Sequence, residues 1–210
     1  MAVGILGLTM ALGFSGCQSE NQKNQDAYRK IGINSMAEGD YDKAVKSFQK
    51  ALDTSLGKIG AEEIDICYYK AAAQFAKKDY DGAIETYTSL IDYDKENANA
   101  YYLRGSVYLD TDKKDKAFKD YKNAVKYAGR EYEIYEGIYE NLTNKGETEE
   151  AKNYLKKALD IKPKDGADYA EQGHVYYLLE DYTQAKSSLD RAIDKDDKTA
   201  LLYLAEVYNA

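Results

Sequence analysis

Apolar and small side chains along most of this chain recur at three- and four-residue steps, the spacing of one helix face. Between Tyr169 and Ile193 the face runs through Tyr169, Gln172, Gly173 and Tyr176, breaks at Glu180-Asp181-Tyr182, and resumes through Ala185, Leu189, Ala192 and Ile193. The pattern predicts two antiparallel helices joined by a tight turn. Gly173 and Ala185 are small where two backbones must approach closely, and larger apolar residues fill the space beside them. Four earlier stretches read the same way: Tyr28 to Ala51, turning at Gly39-Asp40-Tyr41-Asp42; Cys67 to Leu90, turning at Lys78-Asp79-Tyr80-Asp81; Tyr101 to Ala124; and Tyr135 to Ala158, turning at Gly146. Pro163 follows the last of these, where it cannot extend the second helix. A single hairpin leaves one apolar face uncovered, so it needs a neighbour of its own kind.

The hairpins are periodic. Ala83, Ala117, Ala151 and Ala185 succeed one another at 34 residues, each followed four residues later by Tyr87, Tyr121, Leu155 or Leu189. With the small residues of the first helices, this resembles the tetratricopeptide repeat, whose 34-residue unit carries a large residue, Leu, Gly and Tyr on helix A, and Ala, an aromatic, Ala and Pro on helix B. The resemblance covers roughly residues 25–197. It implies an all-α, right-handed α-solenoid of five full repeats, at about 25–58, 64–97, 98–131, 132–165 and 166–199, with a C-terminal capping helix at 200–210. That last stretch also reads as the first helix of a further unit in a chain cut short. Departures are Tyr139 where the small residue is expected, Lys70 in the leucine place, and a proline kept only by the fourth unit. The step from Ala44 to Ala83 is 39 residues, five more than the period. This places an insertion around Leu56-Gly57-Lys58-Ile59-Gly60, read as a tolerated surface loop, with a binding loop as the alternative.

The N-terminus follows another pattern. Residues 1–16 are uncharged and mostly apolar, and the polar run Gln18-Ser19-Glu20-Asn21-Gln22-Lys23-Asn24 follows at once. The apolar run is short for a membrane span and fits the core of a signal peptide. Its boundary, Phe14-Ser15-Gly16-Cys17, resembles the bacterial lipobox. The resemblance implies a lipoprotein signal at 1–16, a diacylglycerol-modified Cys17, and a short polar linker across 17–24. Phe14 stands where leucine is usual, and no Lys or Arg precedes the apolar run. A plain cleaved secretory signal and an apolar extension of a cytosolic chain are the other readings. The expected location is extracytoplasmic, anchored to a bacterial membrane by its N-terminal lipid.

Charge and composition narrow the function. The net charge is −8, and residues 1–17 contribute no charged side chain to it. Phosphate contacts require a basic surface, which argues against nucleic acid as partner. Lysines alternate with acids, as in Lys113-Lys114-Asp115-Lys116, the mark of a solvated helix face. Most of the 22 tyrosines fall on repeat positions or turns and are read as packing residues with a polar tip. Cys67 is read as a small packing residue, and with Cys17 lipidated no intrachain disulfide remains. His174 is the only histidine, so neither a histidine metal cluster nor a Ser-His-Asp triad is expected, and His174 is read as a satisfied or solvated side chain. Asp110-Thr111-Asp112-Lys113-Lys114 begins like a calcium loop but puts lysine in a ligand place and lacks the central glycine. Asn141-Leu142-Thr143 matches a glycosylation sequon that a bacterial lipoprotein would not use. No catalytic constellation, cofactor or metal is expected, and the chain is not read as an enzyme.

In the tetratricopeptide family helix A lines a concave groove. By register, the resemblance assigns to it Tyr68, Ala72 and Phe75; Tyr102, Ser106 and Leu109; Glu136, Glu140 and Asn144; and His174 and Tyr177. Some members clamp a terminal carboxylate with paired Lys and Asn, but here Arg29 and Ile33 occupy the matching places. The groove is thus aromatic and apolar with an acidic segment, suited to peptides with apolar anchors and basic flanks. Alternatively, these aromatics only support the stack or a dimer contact. The leading expectation is a membrane-anchored, non-catalytic scaffold binding a protein or peptide. The alternative is an accessory subunit of an envelope enzyme or transporter that captures a small molecule or glycan.

Overall fold

The first helix of each hairpin ends in the same way. The computed structural model describes residues 20–55, 57 and 59–209, and among these it contains eleven α-helices and no strand. The residues around Cys17, together with Leu56, Lys58 and Ala210, lie outside that description. Two compact units divide the chain, Met1–Leu90 and Ile91–Ala210, with the boundary inside one helix.

The first unit holds α1 (Glu20–Ala37), α2 (Tyr41–Thr54), α3 (Ala61–Ala76) and most of α4 (Tyr80–Tyr93). Glu20–Asn24, expected in the linker, are instead the first turns of α1. No apolar face explains them. Polar contacts do: Gln22 hydrogen-bonds Glu62 of α3, and Gln25 Nε2 donates to Glu63 Oε1 at 2.7 Å. Farther along, Arg29 Nε donates to Asp65 at 2.8 Å while the guanidinium lies 5.2 Å from the Tyr69 ring centre. The unit's core is Ala44, Phe48, Ala51, Ile66 and Ala73, flanked by Tyr28, Ile33, Met36 and Tyr69. Gly32 of α1 meets the Phe48 ring so closely that a Cβ there would fall 2.5 Å from Cε1. Cys67, expected as a packing residue, is half-buried and carries a free thiol whose pKa burial pushes up.

The second unit contains α5 (Ala98–Asp110), α6 (Lys114–Tyr127), α7 (Tyr132–Asn144), α8 (Thr148–Ala158), α9 (Gly166–Leu178), α10 (Tyr182–Ile193) and α11 (Ala200–Asn209). Tyr121, Tyr132, Ile134, Ile138, Leu142 and Leu155 fill its main core, and Ala170, Leu189, Ala192 and Ala200 a second one. Tyr139, large where a small residue is expected, packs against the main core while Ile138 and Leu142 occupy it fully. An ion pair joins α5 to α6. Arg104 of α5 forks onto Asp120 of α6, Nε to Oδ2 at 2.7 Å and Nη2 to Oδ1 at 2.8 Å, with the two side chains 16% and 4% exposed.

The hairpin turns share one hydrogen-bond scheme. In α5–α6, Lys113 N–H reaches back to Tyr108 O at 2.8 Å and Asp112 N–H to Leu109 O at 3.1 Å. The same two bonds close α1–α2 from Asp40 and Gly39, α3–α4 from Asp79 and Lys78, α7–α8 from Glu147 and Gly146, and α9–α10 from Asp181 and Glu180. This is the Schellman closure, which needs a left-handed residue just past the helix end. That residue is Gly39 or Gly146 in two turns and Lys78, Asp112 or Glu180 in the others, with φ of 66°, 58° and 66°. Asp40 and Asp181 then accept the N–H three residues on and cap the next helix.

The left-handed region disfavours a side chain by about 1–2 kcal/mol, and glycine's extra freedom when unfolded offsets part of that. Lys78→Gly is therefore expected to stabilise the chain by about 0.5–1 kcal/mol. Thermal unfolding followed by circular dichroism checks this, and an unchanged or lower midpoint contradicts it.

Candidate functional site

Helix A residues do not all face the same way. Of the first-unit positions, Tyr68, Ala72 and Phe75 are half-buried. Tyr68 tilts against Tyr87 with ring centres 6.3 Å apart, and Phe75 meets Tyr80 edge-on at 5.7 Å. In the second unit Tyr102, Ser106, Glu136, His174 and Tyr177 are half-buried, while Glu140 and Asn144 are exposed. Leu109 corrects the sequence reading: it is 2% exposed and belongs to the main core with Ala117 and Tyr121. Lying in the last turn of α5, it covers helix B of its own hairpin rather than facing a groove.

Side chains tie the A helices of the second unit together in sequence. Asn141 of α7 donates to Ser106 Oγ of α5 at 2.8 Å and lies 3.4 Å from the hydroxyl of buried Tyr121. Ser106 in turn donates to the Tyr102 carbonyl at 2.9 Å. Gly137 of α7 leaves room for the Tyr102 hydroxyl, which would sit 2.3 Å from any Cβ added there. Asn141 is thus a structural bridge between helices. The next step along the face is electrostatic. His174 of α9 lies with Nδ1 2.9 Å from Glu136 Oε1 of α7, and these side chains are 19% and 18% exposed. The expectation of a satisfied histidine therefore describes His174 well. Its ring stacks on Tyr203 of α11 at 4.3 Å between centres and 8° between planes, and lies 6.2 Å from Tyr177.

Glu171 completes this group. It stands one helical turn before His174 on α9 and is half-buried, and no salt bridge reaches it among the described residues. Burial first, then the Glu136 and Glu133 carboxylates, push its pKa up to about 7. His174 moves upward too: burial opposes its charge, but the hydrogen bond to Glu136 and the surrounding carboxylates outweigh it. The site is a patch of concentrated negative potential framed by three flat rings. Sequence reading missed Glu171, Tyr203 and Asn141. Tyr203 had a signal, since Tyr101, Tyr135, Tyr169 and Tyr203 keep the 34-residue step. Glu171 lies three residues before His174, the spacing of one helix face.

Known proteins share the architecture. The tetratricopeptide-repeat profile matches residues 26–55, 98–130, 140–165 and 169–198, and a second TPR-repeat profile matches 71–112. Among curated proteins, anaphase-promoting complex subunit 3 of Schizosaccharomyces pombe is 21% identical over 90% of this chain and 33% of its own length. Tetratricopeptide repeat protein 13 of Homo sapiens is 27% identical over 68% of this chain and 17% of its own. The chain thus spans a third or less of these relatives. Among solved structures, the TPR protein TTC0263 of Thermus thermophilus superposes with a TM-score of 0.52 at 16% identity, covering 89% of this chain and all of its own. PilF of Pseudomonas aeruginosa gives 0.52 at 18% identity over 91% and 87%. MamA gives 0.51 at 22% over 85% and 94%. The all-α fold is an α-solenoid of helical hairpins, and with repeat matches along most of its length the chain belongs to the tetratricopeptide-repeat family.

Proposed function

We propose that this protein is a non-catalytic scaffold that receives a peptide or protein partner on its A-helix face while tethered to a bacterial membrane through a lipid on Cys17. Proteins of this family bind other proteins. The observation that carries the reading is the second unit's A-helix face. Tyr102 and Tyr177 offer half-buried rings, and Glu136, Glu140 and Glu171 supply negative charge between and beside them. Aromatic anchors with an acidic flank suit a peptide carrying apolar and basic residues, the rings giving contact area and the carboxylates register and rate. The tether rests on the Phe14-Ser15-Gly16-Cys17 boundary. Among the described residues no helix is long and apolar enough to cross a membrane.

One preparation tests both parts. The full chain is recovered from native membranes with its bound material, as wild type, as Cys17→Ser and as Tyr102→Ala/Tyr177→Ala. Cys17→Ser is expected to move to the soluble fraction, and continued partitioning into detergent overturns the lipid tether. The tyrosine variant is expected to lose its protein partner by roughly tenfold or more, as for aromatic anchors, with helical circular dichroism retained at room temperature and a lower melting midpoint, since Tyr102 also packs against Gly137. Recovery of a small molecule or glycan in place of a protein overturns the scaffold reading in favour of an accessory capture subunit.

A further inference from the structure

We propose that Glu136, Glu171 and His174 form a binding site for a first-row divalent transition-metal ion of the zinc class. One donor atom from each lies within 4.8 Å of the others, with all three side chains half-buried. Two features of the arrangement point to a metal. First, Glu171-Gln172-Gly173-His174 places a carboxylate and an imidazole at i and i+3 on one face of α9, and Glu136 joins them from the neighbouring α7. Helical bundles that hold two metal ions on carboxylate and imidazole ligands use two Glu-x-x-His pairs and a glutamate from each of two further helices, and this site carries one such pair and one such glutamate. Second, the plane of the imidazole is already set: Tyr203 lies flat against it, 4.3 Å between ring centres and 8° between planes. A ligand held by its surroundings loses little freedom on coordination.

The donor set selects the class of ion. Calcium and magnesium take oxygen ligands throughout, whereas an imidazole with two carboxylates suits zinc and its first-row neighbours. Two carboxylates and a neutral imidazole offset a dipositive charge, and no salt bridge competes for Glu171 among the described residues. Three protein ligands leave a fourth position for water or an incoming donor. Closing the group onto one ion requires the side chains to draw together around it, the ion replacing the His174–Glu136 hydrogen bond and the protons carried by His174 and Glu171 leaving to solvent.

The test is calorimetric titration of the full chain, first stripped with chelator, using zinc chloride alone. One ion per chain is expected, with Glu171→Gln and His174→Gln each weakening binding at least tenfold. Glu140→Gln, an exposed carboxylate on the same helix as Glu136, is expected to leave it unchanged. Cobalt(II) substitution supplies a second readout: visible absorption bands should appear with the wild type and be lost in His174→Gln. Glu171→Gln preserves side-chain shape, so its circular dichroism melt shows that any loss of binding is not loss of fold. Absence of stoichiometric binding, equal weakening by Glu140→Gln, or equal affinity for calcium overturns the site. Because no partner is present, none of these outcomes depends on the scaffold reading.

Discussion

Asp120→Ala is expected to destabilise the second unit by about 2–3 kcal/mol, the cost of removing a charged acceptor that takes two hydrogen bonds from a half-buried guanidinium. Arg104 meets Asp120 through two parallel hydrogen bonds at 2.7 and 2.8 Å, and both side chains are largely removed from water. The guanidinium also lies 5.7 and 5.9 Å from the Tyr101 and Tyr108 ring centres, a cation–π arrangement that adds to its placement. Deleting the carboxylate removes both of these hydrogen bonds from a guanidinium that stays half-buried beside aromatic rings. Urea unfolding measures the effect as a lower midpoint at constant slope. Replacing both partners with apolar residues, Arg104→Met with Asp120→Leu, should cost far less, because no charge then remains to be solvated. A loss below about 1 kcal/mol for Asp120→Ala would mean that water reaches Arg104 and that the pair behaves as a surface one.

The second large effect belongs to the first unit. Gly32→Ala is expected to cost about 2–3 kcal/mol, the upper range for overpacking a close-packed core. The new Cβ would fall 2.5 Å from Phe48 Cε1 and 2.7 Å from Cδ1 and Cζ. Phe48 has no room to retreat. It is fully buried among Ala44, Ala51 and Ile66 and stacks on Tyr69 with ring centres 5.7 Å apart. Combining Gly32→Ala with Phe48→Leu should recover part of the loss, which distinguishes a steric cause from a change in helix propensity. Gly39→Ala is the useful contrast. Its φ is +77° with no atom within 4 Å of the added Cβ, so its cost is a backbone cost of about 1–2 kcal/mol. If Gly32→Ala proves neutral, the approach of α1 to α2 is looser than these distances state.

The hairpins were legible in the sequence because close helix approach admits few residues. Gly32, Gly105 and Gly173 each lie against a large side chain of helix B: Phe48, Tyr121 and Leu189. A rule that excludes nearly every side chain leaves a periodic trace. The turns left a fainter one. Lys78, Asp112 and Glu180 adopt left-handed backbone without being glycine, since the two backbone hydrogen bonds impose that geometry whatever the side chain. The start of α1 was hidden for a related reason, its first turns being held by glutamines against glutamates rather than by an apolar face. Within the candidate site, register located His174 and Glu136 singly but could not bring them together. Their contact joins positions 38 residues apart, a repeat plus one helical turn, and Glu171, one turn before His174 on the same face of α9, holds a position that the repeat register assigns to no role. Leu109 failed in the opposite direction. Its register position is a groove position, and the packing of its own hairpin turned it inward.

The shared turn geometry bears on how such a chain can change length. Asp112 and Gly146 close their turns with the same two backbone bonds and stand one period apart. Excision of residues 113–146 would join Asp112 to Glu147 and leave at the junction a turn of unchanged form. Recombination between misaligned gene copies can therefore add or remove whole hairpins without creating a new loop to be selected. What must be re-fitted each time is the side-chain traffic between neighbouring repeats, such as Tyr102 against Gly137, so novelty in this protein would accumulate on its A-helix face while its corners stayed interchangeable.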